Sequence, residues 1–269
     1  MSIAGKRIFA LITGASRGIG REIALSLARK CSQDSVLFLA ARNEENLRSV
    51  QKEIENNQPS VEVKIKRVDL ETSVDVEEIG QEVRQILETQ QFESCLIFHN
   101  AATVGDLTKR SNELNDEKDW HTYLQTNLIS TIRINNTIYS LIIRSKQPQI
   151  FIVDITSLLA IKAFPSFTQY SVGKAAREAF FRGFALENPE TKVLSYSPGP
   201  VDTDMHSEVA NKSYDETVRG MFSTQVQDEE DPSATLHRKK LTPNETVEKL
   251  LQILDMNQYE SGSRIDYFD

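Results

Sequence analysis

Ile8-Phe9-Ala10-Leu11-Ile12 runs straight into Thr13-Gly14-Ala15-Ser16-Arg17-Gly18-Ile19-Gly20, and this stretch decides the fold. Five consecutive apolar residues are the pattern of a strand buried on both faces, and Ile19, Ile23 and Leu27 beyond the glycines follow helical spacing. At such a strand–helix junction a glycine turn lets backbone N–H groups approach a phosphate, and the helix N-terminus adds partial positive charge. The spacing, Gly-x-x-x-Gly-x-Gly, differs from the Gly-x-Gly-x-x-Gly of the common dinucleotide fingerprint. Glycines alone would equally serve a tight turn; their place after a first strand and ahead of an amphipathic helix points to a pyrophosphate site.

Outward from this turn, short apolar runs recur at Val36–Ala40, Val61-Val63-Ile65, Cys95–Phe98, Ile150–Ile155 and Val193–Tyr196, with helical patterns between them such as Leu47-Val50-Ile54 and Val76-Ile79-Val83-Ile86. Asn43 and Ser73 are expected helix N-caps, each followed by acidic residues. A last strand at about 264–268 completes seven. The rhythm predicts an α/β fold: one Rossmann-type domain, a doubly wound parallel seven-stranded sheet with helices on both faces. The stretch from about Met205 to Thr242 breaks the rhythm with Asp228-Glu229-Glu230-Asp231, Pro232 and Arg238-Lys239-Lys240, and reads as a lid over a substrate or as a solvated surface excursion.

A chain of 269 residues suffices for one large core. Its net charge of −8, with acids and bases interspersed, offers no basic stripe for nucleic acid. Cys31 and Cys95, the only cysteines, are far apart with no CxxC spacing or His cluster, which excludes a disulfide framework or metal centre and predicts two buried thiols in a reducing compartment. Lys6-Arg7 ahead of Ile8–Ile12 is too short a pattern for a secretory signal, and no run approaches the roughly 18 apolar residues of a membrane helix. A soluble cytoplasmic protein is expected.

Two groups of residues carry chemistry. The end of the second strand reads Ala40-Ala41-Arg42-Asn43, with no carboxylate to hold a ribose 2′-hydroxyl, and Arg17 stands in the glycine turn. Two arginines suit a 2′-phosphate, so NADPH/NADP is favoured over NADH, unless both are plain surface residues. Asp69-Leu70 and Asn100-Ala101-Ala102 follow the third and fourth strands, at the edge where ligands bind in open α/β folds. Past the middle, Ser157 follows the fifth strand and Tyr170-x-x-x-Lys174 lies thirteen residues on, its two side chains on one helix face. A free phenol has a pKa of about 10, and a neighbouring ammonium is expected to lower it, suiting Tyr170 as a general acid; Ser157 would donate to an oxygen gaining negative charge.

Thr13-Gly14-x-x-x-Gly18-x-Gly20, Asp69, Asn100-Ala101-Ala102, Asn127, Ser157, Tyr170-x-x-x-Lys174 and Pro198-Gly199, in this order, resemble the short-chain dehydrogenase/reductase family. Residues around Gly105-Asp106, Gly173–Arg177, Leu194–Met205 and Ser261-Gly262-x-x-x-Asp266-Tyr267-Phe268-Asp269 are similar to members that reduce the side-chain keto groups of a pterin. The resemblance implies cofactor contacts at Gly14, Ala15, Ser16, Arg17, Gly18, Ile19, Gly20, Arg42, Asn43, Asp69, Leu70, Asn100, Ala101, Lys174, Val201, Thr203 and Met205. It implies substrate contacts at Ser157, Leu158, Tyr170, Gly199 and Asp266, the last accepting hydrogen bonds from the pterin. It gives Asn127 a water linking Lys174 to solvent, where the residue alone would read as a polar position on a long helix. It also implies a homodimer joined through helices near 117–145 and 168–187. His99 and Asp154 stand where asparagine is common in the family, and both are expected to lie outside the acid–base set.

Overall fold

The computed structural model describes residues 3–72, 76–223 and 240–269. Seven parallel strands, β1 (Ile8–Thr13), β2 (Val36–Ala41), β3 (Glu62–Arg67), β4 (Ser94–His99), β5 (Ile150–Ile155), β6 (Thr191–Ser197) and β7 (Ser263–Asp266), form one sheet in the order 3-2-1-4-5-6-7. β1, β2, β4 and β5 are buried at every position, which is why each reads as a mainly apolar run, Asp154 in β5 excepted, whereas the edge strand β3 alternates Glu62, Lys64 and Lys66 with Val63 and Ile65. The order reverses between β1 and β4, so the carboxyl ends of these two strands open a crevice at the switch point.

The helices cover both faces. Ala10, Ile12, Leu37, Leu39 and Leu96 pack toward α1 (Gly18–Lys30), α2 (Glu44–Asn57) and α9 (Pro243–Met256), whose Ile23, Leu27, Leu47, Val50, Leu250 and Leu254 complete one core. The alternate residues Phe9, Leu11, Phe38, Cys95 and Ile97 face α3 (Val76–Thr89), α5 (Ser130–Arg144) and α6 (Thr168–Glu187), which supply Val83, Ile138 and Phe181. Period-two alternation along each strand thus divides one apolar run between two cores. The remaining helices are α4 (Glu117–Leu124), α7 (Asp204–Lys212) and α8 (Glu216–Ser223).

Several boundaries differ from expectation. β7 stops at Asp266 because the chain turns back on itself there: Phe268 N–H donates to Asp266 Oδ1 (3.2 Å), Asp266 N–H to Asp269 Oδ2 (2.7 Å) and Asp269 N–H to Asp266 O (3.1 Å). The long helix expected near 117–145 contains one π-turn, Gln125–Ile129, between α4 and α5. Its wider winding displaces Asn127 from the helical register. Cys95 is buried as expected, but Cys31 is only half-buried, at the C-cap of α1. Asn43 caps α2, accepting from Asn46 N–H at 2.9 Å, while the expected cap Ser73 lies outside the described residues. The first part of the segment read as a lid folds into α7 and α8; its charged clusters at 228–231 and Arg238-Lys239 also lie outside the described residues.

One buried polar contact ties the far side of the sheet to the crevice. Tyr196 Oη bonds Thr246 O (2.9 Å) and lies 3.0 Å from Thr246 Oγ1, which donates to Pro198 O (2.9 Å). Thr246→Val keeps the shape and strands the Pro198 carbonyl, so it should cost about 1–3 kcal/mol in a chemical-denaturation experiment.

Candidate active site

The crevice is a single cleft of about 750 Å³ lined from the carboxyl ends of β1 to β7. Its floor at one end is the glycine turn. Gly14, at φ +68°, needs the left-handed conformation open to glycine, and a Cβ on Gly20 would overlap the Gly14 carbonyl oxygen and sit 2.5 Å from Asn100 Nδ2. Asn100 closes the turn from the neighbouring strand: its Nδ2 donates to Thr13 O (3.0 Å) and Gly14 O (3.2 Å), and its N–H donates to Thr13 Oγ1 (3.1 Å). α2, α4, α7 and α9 each have an N-cap side chain on their first N–H groups; α1, like α6, has none, and no acid in its first turn. A helix start left uncapped inside a cleft, over a cradle too tight for any Cβ, fits a bound pyrophosphate. Arg17 and Arg42 flank it, each in an exposed ion pair, with Asp204 and with Glu71 (3.6 Å) respectively; such pairs are worth little and exchange readily for a phosphate.

At the other end stand Ser157, Tyr170 and Lys174. Ser157 caps a short 3₁₀ turn, Leu158–Ala160, accepting from Leu159 N–H at 3.2 Å, which fixes its hydroxyl at the strand exit. Tyr170 and Lys174 lie one turn apart on α6, and Lys174 Nζ donates to Ile155 O at 2.6 Å, 5.5 Å from the Tyr170 ring centre. The expected effect of lysine on tyrosine is not what dominates here. Burial pushes the Tyr170 phenol up to about 12, opposed by the charge of Arg177 and the Ser157 hydroxyl, and burial with Arg177 brings Lys174 down to about 7. Arg177 is therefore the cation that acts on both groups.

Arg177 has no solvent exposure and was not singled out in the sequence, although Tyr170, Lys174, Arg177 and Phe181 share one helical face. Its Nε donates to Asp154 Oδ1 (2.7 Å), Nη2 to the same oxygen and to His99 O (2.5 Å), and Nη1 to Ala101 O (3.1 Å). His99 and Asp154 thus stand behind Ser157, Tyr170 and Lys174, outside that set as expected of them but joined to it through Arg177. His99 bonds Asn135 Oδ1 through Nε2 (3.1 Å) and is held neutral by burial, down to about 4. A second buried set was equally invisible: Glu178 Oε1 accepts from Thr156 Oγ1 (2.5 Å) and Arg264 Nη1 (2.5 Å), and Arg264 also donates to Ser157 O (3.1 Å). Arg264 Nη2 lies 3.7 Å from Asp266, whose Oδ2 accepts from Ser197 Oγ at 2.6 Å. Asp266 lines the same cleft as an apolar cluster of Phe164, Phe167, Met205 and Phe222, with the His206 ring tilted against Phe222, centroids 4.7 Å apart.

A model of short chain dehydrogenases matches residues 9–213. The chain belongs to the short chain dehydrogenase family. It is 31% identical over 259 residues to sepiapterin reductase of Rattus norvegicus, covering 96% of this chain and 95% of the rat protein, and 32% identical over 264 residues to that of Xenopus tropicalis, covering 97% of each. Among solved structures, a short chain dehydrogenase of Escherichia coli CFT073 complexed with NADPH superposes with a TM-score of 0.73 at 25% identity, over 100% of this chain and 99% of the other. The protein is accordingly an oxidoreductase working with a nicotinamide cofactor, and the uncapped glycine cradle is the place in it that fits the dinucleotide.

Against this short chain dehydrogenase frame, three of the expected site residues do not line the cleft. Ala15 and Gly20 lie beneath the turn, where they shape it. Asn127 is buried in the π-turn, its Oδ1 accepting from Thr103 N–H (2.8 Å) and its Nδ2 donating to Thr103 Oγ1 (3.0 Å) and Tyr123 O (3.0 Å). Its side chain thus anchors the Thr103 wall. All the other expected residues, from Ser16 and Asp69 to Val201, Thr203, Met205, Leu158, Gly199 and Asp266, line the one cleft. Gly20→Ala should force the turn apart, weakening nicotinamide dinucleotide binding roughly ten- to hundredfold by fluorescence titration while the circular dichroism spectrum stays native.

Proposed function

We propose that the protein is an NADPH-dependent reductase of the side-chain keto groups of a pterin, such as sepiapterin or 6-pyruvoyl-tetrahydropterin, serving tetrahydrobiopterin synthesis. The observation that carries this is the position of Asp266: a carboxylate at the substrate end of the same cleft as Ser157 and Tyr170. A carboxylate pairs with two parallel N–H donors, as the amino-pyrimidine edge of a pterin presents, and the apolar wall of Phe164, Phe167 and Phe222 suits a flat ring. The Ser197 hydroxyl and the Phe268 N–H orient Asp266, so its direction is set before a ligand arrives. Sepiapterin reductases of two vertebrates at 31% and 32% identity support the same substrate class.

The cofactor, when bound, supplies the hydride. Ser157, fixed by its 3₁₀ turn, donates to the carbonyl oxygen as charge develops there, and Tyr170 delivers the proton to that oxygen. Lys174, depressed to about 7, passes between ammonium and amine near neutral pH and so restores a proton to Tyr170. Arg17, Arg42 and the absence of a carboxylate after β2 support NADPH over NADH, and the NADPH complex of the bacterial structure agrees. Homodimerisation through α5 and α6 belongs to the same proposal, supported by Ile143, Val172 and Leu186, which are exposed on these helices. So does a cytoplasmic location. Its support is two free thiols and, among the described residues, no helix long and apolar enough to cross a membrane.

Tyr170→Phe should lower kcat about 10²- to 10⁴-fold and leave NADPH affinity unchanged; retained turnover would remove Tyr170 from the mechanism. Asp266→Ala separates a pterin enzyme from a general carbonyl reductase. With sepiapterin it should lose about 10- to 100-fold in kcat/KM, with a small diketone little or nothing; an equal loss on both would make the protein a general reductase.

A further inference from the structure

Behind the acid–base residues the structure holds a charge pair that takes no part in binding cofactor or substrate. Arg177 and Asp154 are both fully buried, and neither lines the cleft. Through one guanidinium, α6, which carries Tyr170 and Lys174, is joined to the exit of β4, at His99 O and Ala101 O, and to β5, at Asp154. The β4 exit carries Asn100, which closes the glycine turn, and the β5 exit carries Ile155 O, which holds Lys174, and then Ser157. We infer that the Asp154–Arg177 pair is a positioning and charge-setting device: it locks the proton donor, the lysine and the cofactor turn into one frame, and sets the pH range in which Tyr170 and Lys174 hold their protons.

The charges balance unevenly. Seen from Tyr170 and Lys174, Arg177 and Glu178 lie on α6 itself, Asp154 on β5, His99 on β4, Tyr123 on α4, and Arg264 and Asp266 on β7. His99 is neutral and Glu178 is matched by Arg264, which leaves Asp154 and Arg177 as the opposed pair closest to control. Arg177 favours loss of the proton from both groups; Asp154 favours its retention, and Arg177 outweighs it at each. Asp154 uses only Oδ1, and its Oδ2 is buried with no partner. An amide with its oxygen at the Oδ1 position therefore keeps the acceptor for Arg177 and removes the charge, but places an amide N–H₂ where the unpartnered Oδ2 stood.

The inference rests on Tyr170 being the proton donor, and the test separates the two. Carbonyl reduction requires the protonated acid, so kcat falls as pH rises. Asp154→Asn should move that fall to lower pH by about half to one unit with cofactor affinity preserved, because the charge retaining the protons is gone. The double variant Asp154→Asn/Arg177→Met, which removes both charges of the pair and serves if the single one does not fold, should move it to higher pH. In the cofactor-free proteins, NMR titration of the Lys174 ε-ammonium, assigned with Lys174→Met, should shift in the same two directions. A merely structural pair would alter melting temperature and leave both titrations in place. Unmoved titrations in folded variants overturn this inference alone if Tyr170→Phe is inactive; an active Tyr170→Phe overturns the proton-donor assignment and this inference with it.

Discussion

A guanidinium cut off from water must find acceptors inside the protein, and Arg177 finds them on two carbonyls at the exit of β4 and on the Asp154 carboxylate of β5. Leaving such a charge without partners would cost several kcal/mol, so the surroundings are built to its geometry. The consequence reaches the whole cleft. The β4 exit, the β5 exit and α6 are held in register around one planar group, and each carries a different part of the candidate site: the glycine turn through Asn100, Ser157, and the Tyr170–Lys174 pair.

The cleft itself follows from topology. Because β1 and β4 lie side by side while their following helices depart to opposite faces, no element fills the space above their carboxyl ends. The glycine turn exploits that space with its uncapped helix start, and α7 and α8 line the end proposed for the substrate with Met205, His206 and Phe222. Substrate and cofactor ends are thus shaped by different kinds of structure. The first is a cradle of backbone that tolerates no side chain, the second a set of apolar side chains around a single oriented carboxylate.

Tertiary packing also reverses one piece of local reasoning. A lysine one helical turn from a tyrosine suggests an ammonium lowering a phenol, but burial takes both groups out of water and pushes each toward its neutral form. Lys174 meanwhile spends its hydrogen bond on Ile155 O. The field at the phenol is then set by charges too deep to touch substrate, Arg177 above all.

The sequence by itself determined the strand order of events along the chain, the glycine turn, and the separation of Ser157 from Tyr170-x-x-x-Lys174, since period-two and period-3.6 patterns and glycine requirements are local properties written residue by residue. Asn43 as a cap and the fully buried inner strands were legible for the same reason. Only the tertiary structure decided that His99, Asp154 and Arg177 meet, that Glu178 and Arg264 brace Ser157 and Asp266, and that Asn127 turns its amide to Thr103 rather than to the cleft. Apart from Arg264 with Asp266, these contacts join residues 23 to 107 positions apart, most of them charged residues that sequence alone assigns to solvent. What buries them is the packing of α6 against neighbouring strand ends of the parallel sheet, and no local pattern announces which elements will be neighbours.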